Sequence, residues 1–133
     1  MKYLLDTCTI SHFIKGHPSI SEHFKATPSH LVFLSSISVM EIEYGLKLNL
    51  ERAHKINSMI ETLLSQIEIL AFKEREAKIA GSLRAKLKQE GTFIGPYDLL
   101  IASQAISHGL ILVTQNTKEF KRIPGLILES WLN

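Results

Sequence analysis

Three short runs of apolar residues limit what this chain can fold into. Residues 2–5, 31–34 and 110–113 read KYLL, LVFL and LILV, without the polar alternation of strands that have one face in water. Strands of this kind are covered by helices on both faces of a sheet. Because helical segments separate the runs, right-handed crossovers and parallel pairing are favoured. We therefore predict an α/β fold, a three-layer sandwich with a mostly parallel sheet of four to five strands and helices on both faces.

The segments between these runs carry the signals of helices. Residues 51–66 have apolar side chains at helical spacing, and residues 39–48 and 73–90 are further helix candidates. Short strands are predicted at 68–70 and 126–128. With 133 residues and 45% apolar residues, the chain is expected to form one domain over residues 1–133.

Composition and charge exclude several classes of protein. No run approaches the ~18–20 apolar residues of a membrane span, and Asp6 interrupts the apolar start too early for a signal peptide. The single cysteine, Cys8, cannot form an internal disulfide, so we expect a reducing, cytoplasmic location. A net charge of +2 excludes a generally basic nucleic-acid binder but allows a basic strip beside an acidic pocket.

Only two of the 13 acidic residues are aspartates, Asp6 and Asp98. Glutamate is a good helix former and aspartate is not, so the glutamates are explained as helix surface more easily than the aspartates are. Asp6 follows the first strand, and Asp98 begins the helix that leads to strand 110–113. A crossover helix runs antiparallel to its strands, so both aspartates are expected at the carboxyl edge of the sheet, where ligands bind.

Three more polar side chains are predicted at the same edge. Glu41 begins the helix after the second strand, and Asn116 and Glu119 follow the strand 110–113. Carboxylates that converge repel each other, and a hard divalent cation such as Mg²⁺ or Mn²⁺ removes that repulsion. Glu43 competes with Glu41, but Gly45, four residues after Glu41 on the same helix face, leaves room for a neighbour and favours Glu41.

Each of these residues also has a structural explanation. Asp6 suits the N-cap of a helix over Thr7–Ile14, and Ser38-x-x-Glu41 matches a capping box. The carboxylate of Asp98 suits the first turn of a helix after a proline. Taken singly, such roles are the more common ones. The set favours a metal site, because caps do not require both aspartates at one edge of a sheet.

Four motifs, in order and nearly end to end, carry a family resemblance. They are Leu4-Leu5-Asp6-Thr7 with Ser11; Met40-Glu41-Ile42 with Tyr44-Gly45; Gly95-Pro96 with Asp98-Leu99-Leu100-Ile101-Ala102; and Leu112-Val113-Thr114 with Asn116, Phe120, Ile123-Pro124-Gly125-Leu126 and Trp131. Together they resemble the PIN-domain ribonucleases, and most closely the VapC toxins of bacterial toxin–antitoxin pairs.

The resemblance implies an endoribonuclease that depends on Mg²⁺ or Mn²⁺ and hydrolyses RNA phosphodiesters, with transfer RNA among the substrates. Asp6, Glu41 and Asp98 match the family's first three acidic positions and would hold the metal. Asn116 stands where many members carry a fourth aspartate, and Glu119 is the alternative there.

The surroundings of this acidic site are predicted as well. Hydrogen bonds to the carboxylates are expected from Thr7, Ser11 and Thr114. Because RNA must reach an acidic pocket, basic residues should rim it. The first candidates are Lys118, Lys121 and Arg122, and the second are Arg84, Lys86 and Lys88.

The resemblance also implies partners: a VapB-like antitoxin that covers the site, a toxin homodimer, and a larger complex with the antitoxin that binds operator DNA. Two other functions remain open. A phosphatase of the haloacid-dehalogenase type resembles this chain in the aspartate after the first strand, but Cys8 stands where that family has a second aspartate. A catalytically weak PIN domain that binds RNA or a protein is allowed by Asn116 and disfavoured by Asp6, Glu41 and Asp98.

Overall fold

Five parallel strands form one sheet in the computed structural model, which describes residues 1–132. The strands are β1 (Tyr3–Leu5), β2 (Val32–Ser35), β3 (Glu68–Leu70), β4 (Ile111–Val113) and β5 (Leu128–Glu129). Their order across the sheet is β3-β2-β1-β4-β5, so β1 lies at the centre between β2 and β4. Tyr3 is in register with both Val32 and Ile111, which aligns the carboxyl ends of the three central strands.

Helices lie between consecutive strands along the chain. They are α1 (Thr7–Ile14), α2 (Pro18–Ala26), α3 (Ser36–Leu48), α4 (Leu50–Gln66), α5 (Glu74–Gln89), α6 (Pro96–His108) and α7 (Thr117–Phe120). Within residues 1–132, no helix is long and apolar enough to cross a membrane.

Buried side chains form one cluster on each face of the sheet. Along β1, Leu4 packs into the cluster that contains residues of α5 and α6, while Leu5 packs into the cluster that contains residues of α1, α2 and α4. Leu112 and Val113 divide between the two clusters in the same way. The continuously apolar strands are therefore covered on both faces, which confirms the predicted three-layer α/β sandwich. The assignment of residues 1–133 to one domain stays a prediction.

Several element boundaries differ from the sequence prediction, and two of the differences have identifiable reasons. α3 begins at Ser36 rather than at residue 39, because the Ser35 side chain accepts a hydrogen bond from Ile37 N at 2.9 Å and caps the helix. Ser38 therefore lies inside α3, and the capping box with Glu41 is wrong. The last strand is Leu128–Glu129 rather than residues 126–128, because these two residues are the ones in register with β4.

Candidate active site

Asp6 lies at the carboxyl end of β1 and serves both as a helix cap and as part of an acidic cluster. Its Oδ1 accepts a hydrogen bond from Thr9 N at 2.8 Å, and its Oδ2 accepts one from Thr114 Oγ1 at 2.5 Å. The side chain is only 2% exposed. Burial raises the pKa of this carboxyl, while the hydrogen bonds from Thr114 and Thr9 and the charge of His12 lower it. The structural role at α1 therefore coexists with a position in the site.

Asp98 lies in the first turn of α6, partly buried, and it differs from Asp6 in lacking partners. Within residues 1–132 its carboxylate accepts no hydrogen bond. Loss of solvent, followed in decreasing order by the negative charges of Asp6, Glu119 and Glu41, raises the pKa of Asp98 to about 6. Four carboxylates from four separate segments are thus within electrostatic reach of each other. The structure brings together the two aspartates as the sequence predicts.

The same carboxylates also act on the thiol of Cys8. Its pKa is raised by burial and then by the charges of Asp6, Asp98 and Glu41. A thiol with a raised pKa is a poor nucleophile, because the thiolate is the reactive form. The raised pKa therefore disfavours this exposed cysteine as a nucleophile beside the carboxylates.

Glu41, rather than Glu43, faces the cluster. Thr7 Oγ1 donates to Glu41 Oε1 at 2.7 Å and also lies 2.8 Å from Ser38 Oγ. Glu43 points to solvent and pairs with Lys47 at 3.4 Å on the same helix. The space beside Gly45 is open and belongs to a cavity of about 120 Å³ that Glu41 also lines.

Glu119 is the fourth carboxylate near Asp98, and Asn116 contacts it. Asn116 Nδ2 donates to Glu119 Oε2 at 2.5 Å, and Gly95 N donates to Glu119 Oε1 at 3.1 Å. Asn116 N donates to Thr114 Oγ1 at 2.9 Å, and its side chain makes no capping bond to α7. These bonds leave the Asn116 side chain directed at Glu119, whereas Glu119 is the group whose charge acts on Asp98.

The remaining predicted residues are placed as follows. Thr7 and Thr114 donate to Glu41 and Asp6 as expected. Ser11 lines the cavity beside Glu41, but its hydroxyl makes no hydrogen bond to a carboxylate in the part of the chain that the structure describes. The three basic candidates of the α7 region, Lys118, Lys121 and Arg122, are exposed.

Three contributors to the site escape the sequence prediction. Thr9 donates its backbone N–H to Asp6 and its hydroxyl to Val113 O at 3.1 Å. Ser38 contacts Thr7, and Gly95 holds Glu119 through its backbone. A signal exists for Thr9, since an N-cap aspartate predicts a bond to the residue three positions on. Backbone donors such as Gly95 leave no signal in residue identity.

The chemistry of the cluster fits a hydrated divalent cation. Among residues 1–132, no three His, Cys, Asp or Glu side chains stand close enough together to ligate one ion by themselves. The donors are all carboxylate oxygens, which Mg²⁺ and Mn²⁺ prefer. Mg²⁺ keeps several of its waters in proteins and is held directly by one or two carboxylates. Within residues 1–132 the Asp98 carboxylate accepts no hydrogen bond, so its oxygens are available to such an ion.

Comparisons with known proteins agree with this arrangement. The PIN domain model matches residues 3–126. The chain is 39% identical over 132 residues to the tRNA(fMet)-specific endonuclease VapC of Salmonella typhimurium strain LT2, and the match covers 98% of each chain. It is 40% identical over 133 residues to ribonuclease VapC2 of Rickettsia felis, again over 98% of each.

This chain belongs to the VapC family of PIN-domain ribonucleases.

The resemblance carried by the four sequence motifs is thereby confirmed, and a haloacid-dehalogenase type of phosphatase is excluded. A solved structure of a VapC-family complex supports the fold as well. The chain superposes with a TM-score of 0.90, at 39% identity, on a chain of VapBC2 from Rickettsia felis bound to a DNA fragment from its promoter; the match covers 98% of this chain and 99% of that one. The α/β sandwich described above is the PIN fold.

Proposed function

We propose that this VapC-family chain is a Mg²⁺-dependent endoribonuclease toxin of a VapBC-type pair, with Mn²⁺ as a possible substitute for Mg²⁺. The substrate class is structured RNA, with transfer RNA the first candidate. The observation that carries the proposal is Asp98. Its carboxylate is partly buried and accepts no hydrogen bond from residues 1–132, and its pKa of about 6 reflects burial and three neighbouring carboxylates. The name of the Salmonella typhimurium relative supports transfer RNA as the substrate.

The energetic argument starts from the cost of this arrangement. Each carboxylate that loses solvent near other negative charges disfavours its ionised form. If Asp98 served only to stabilise the first turn of α6, a hydrogen-bond donor beside its carboxylate would stabilise the fold more than three neighbouring anions do. A divalent cation at the cluster converts the repulsion between Asp6, Asp98 and their neighbours into attraction. The arrangement is therefore best explained as a cation site.

The residues then take distinct roles. Asp6 and Asp98 would hold the principal ion, and Glu41 would orient the attacking water or contact a second ion. A bound Mg²⁺ would lower the pKa of its water and neutralise charge on the phosphate oxygens. Glu119 supplies the fourth carboxylate, and Asn116 is a positioning residue that acts through Glu119. In this proposal Glu119, and not Asn116 as the sequence suggested, is the residue in direct contact with the reacting groups.

Hydroxyl groups fix the orientation of the carboxylates. Thr114 donates to Asp6, and Thr7 donates to Glu41, so each threonine holds one oxygen and leaves the other lone pairs for a ligand. Ser11 keeps its predicted place beside Glu41 without a bond of this kind. The exposed side chains of Lys118, Lys121 and Arg122 bind RNA phosphates at the rim, which makes RNA affinity fall steeply with salt.

Partners follow from the family. We propose a VapB-like antitoxin that covers the acidic site, a homodimer of the toxin, and a larger complex with the antitoxin that binds operator DNA. The support is the solved VapBC2 complex of Rickettsia felis with promoter DNA, to which this chain is similar over nearly its whole length. A cytoplasmic location agrees with RNA as substrate and with the single cysteine.

Cleavage of purified RNA tests the proposal. The full chain is incubated with a transfer RNA pool in Mg²⁺, with added EDTA, and after the substitution Asp98→Asn; Glu43→Gln serves as the matched control on the solvent face of α3. Cleavage in Mg²⁺ by the parent and the control alone is the expected result. Cleavage that survives both EDTA and Asp98→Asn would falsify the metal site. RNA binding without any cleavage would instead favour a catalytically weak PIN module.

A further inference from the structure

A second concave surface lies beside the acidic cluster. It is a groove of about 960 Å³ formed by α5, the first turn of α6 and the loop of residues 91–95 that joins them. Small residues of α5, Ala77, Ala80 and Gly81, form part of its lining and leave it open. None of the four carboxylates lines it, so it is a separate surface that shares the start of α6 with the site.

Two hydrogen bonds tie the wall of this groove to the segment around α7. Gly95 N donates to Glu119 Oε1 at 3.1 Å, and the Arg122 guanidinium donates to Phe93 O. Tyr97, which lines the groove, directly precedes Asp98 in the first turn of α6. The groove wall and the carboxylate cluster thus share the segment around residues 95–98. A molecule bound in the groove would therefore lie next to one bound at the carboxylates.

The groove presents two aromatic side chains to solvent. Phe93 is 81% exposed and Tyr97 is 47% exposed. Large aromatic side chains usually contribute to stability by burial, and these two do so little in this chain. Exposed aromatic side chains in nucleic-acid-binding proteins stack against bases of any sequence. Stacking of this kind would explain why these two rings are exposed.

The charges of the groove are all of one sign. Arg84 and Lys88 are the charged residues that line it within the described chain, and they are four residues apart on one face of α5. Lys86, between them, faces elsewhere and lies 4.0 Å from Glu90 in a surface pair. A purely apolar partner would cover Arg84 and Lys88 without a counter-charge, which is unfavourable. A strand that combines bases with phosphates matches both the rings and the cations.

We propose that this groove binds the single-stranded stretch of RNA next to the scissile phosphate. Phe93 and Tyr97 stack against bases, and Arg84 and Lys88 bind phosphates. The inference rests on the proposed ribonuclease function and adds the subsite that positions the substrate. It also divides the basic residues of α5, because Arg84 and Lys88 contact RNA and Lys86 does not.

Binding of a fluorescent RNA to the full chain tests the groove apart from catalysis. The background is Asp98→Asn, and the probe is a short single-stranded RNA that carries 2-aminopurine, whose emission falls when it stacks. Phe93→Ala and Tyr97→Ala should each weaken binding about tenfold and restore emission, while Tyr97→Phe should retain both. Arg84→Ser with Lys88→Ser should reduce the slope of log affinity against log salt by about 1.4.

Matched controls come from surfaces away from the groove. Lys86→Ser removes a cation from the same helix, and Ile127→Ala removes a large apolar side chain that is also exposed. Both should leave affinity, emission and salt slope unchanged. Because Phe93 and Tyr97 are exposed, their replacement should leave the thermal melting temperature nearly unchanged, and that measurement accompanies each variant.

Two results would overturn the proposal. One is an affinity and an emission equal to the parent's in the Phe93→Ala, Tyr97→Ala double variant. The other is a change in oligomeric state of that variant with unchanged RNA affinity, which would assign the groove to a second copy of the chain. Failure of the unmodified chain to cleave RNA in Mg²⁺ counts against the proposed function, whereas unchanged RNA affinity of the aromatic variants counts against the groove alone.

Discussion

Two carboxylates lie at opposite ends of helix α6. Glu76 of α5 is near the end of the helix, Asp98 is in its first turn, and their surroundings differ. At the end, Glu76 of α5 is 3% exposed and fully partnered. It accepts hydrogen bonds from Lys73 N at 3.3 Å and Ser107 Oγ at 3.1 Å, and its Oε1 lies 3.7 Å from His108 Nε2. These contacts join the start of α5 to the end of α6, so Glu76 is a carboxylate whose role is structural.

Asp98, at the start of α6, has the opposite surroundings. It accepts no hydrogen bond within residues 1–132, and its electrostatic neighbours are Asp6, Glu119 and Glu41. Deep burial alone therefore does not mark the proposed metal ligand, because Glu76 is the more deeply buried of the two carboxylates. The distinction lies in the partners: donors surround Glu76, and other anions surround Asp98. This contrast is the basis of our proposal that Asp98 binds a cation.

The largest expected effect is a difference in RNA cleavage between variants of Asp98 and of Glu76. Asp98→Asn should lower the rate of Mg²⁺-dependent RNA cleavage at least about 100-fold, because it removes a proposed metal ligand. Glu76→Gln should leave the rate unchanged, because Glu76 contacts none of the four carboxylates. Initial rates of folded protein, checked by circular dichroism, measure both. Equal losses in the two variants would remove the distinction.

For the free energy of unfolding we expect the reverse: replacing Glu76 should cost more than replacing Asp98. Glu76→Ala leaves Lys73 N and Ser107 Oγ without their acceptor, so it should lower the free energy of unfolding by about 2 kcal/mol. Glu74→Ala, at an exposed position in the same helix, is the control. Urea denaturation measures both variants. A cost for Glu76→Ala no larger than that of the control would show that this end of α6 does not depend on its carboxylate.

The hydroxyl that orients Asp6 should matter less than a ligand itself. Thr114→Val keeps the side-chain shape and removes the donor to Asp6, so it should raise the Mg²⁺ concentration for half-maximal cleavage about tenfold. Thr62→Val, whose hydroxyl bonds only to Ser58 O on the surface of α4, is the matched control. A Mg²⁺ dependence equal to the parent's would place Thr114 outside the metal site.

The smallest effect is a gain in stability. The pKa of Asp98 is raised in the folded chain from 3.8 to about 6, so the folded state holds its proton more tightly than the unfolded state does. Stability without divalent cations should therefore fall as pH rises from about 4 to about 6, and Asp98→Asn should remove this loss.

Partial exposure of Asp98 reduces the size of that gain. We expect Asp98→Asn to stabilise the fold by about 1 kcal/mol at neutral pH, and by nothing below pH ~4. Urea denaturation at several pH values in EDTA measures it. A variant less stable than the parent at neutral pH would contradict the absence of favourable partners around Asp98.

The sequence alone was enough to predict the sheet and the edge that carries the site. Continuously apolar strands require cover on both faces, and the direction of a crossover helix carries Asp98 to the same edge as Asp6. These inferences depend on chain direction and burial, which residue identity encodes well. For the same reason Glu41 could be preferred over Glu43 from helix geometry.

The details that failed depend on side-chain conformation and distant backbone. The orientation of Glu119 depends on a hydrogen bond from Gly95 N, which lies 24 residues away in the chain. The choice between Asn116 and Glu119 as the residue that completes the site stays a prediction. Ser38 was assigned to a cap because its spacing to Glu41 fits one, but Ser35 occupies that position. Phe93 and Tyr97 were not predicted as RNA contacts, because an aromatic residue in a sequence is more often part of a core.

The two aspartates offer the most direct test of the central claim. Labelling with aspartate that carries ¹³C in its side-chain carboxyl gives resonances from Asp6 and Asp98 alone, since the chain has no other aspartate. Asp98→Asn assigns them. We predict that the Asp98 resonance titrates near pH 6 without divalent cations and at a lower pH once Mg²⁺ is added. Titration of Asp98 near its ordinary value, with neither resonance changed by Mg²⁺, would contradict a cation site at this edge of the sheet.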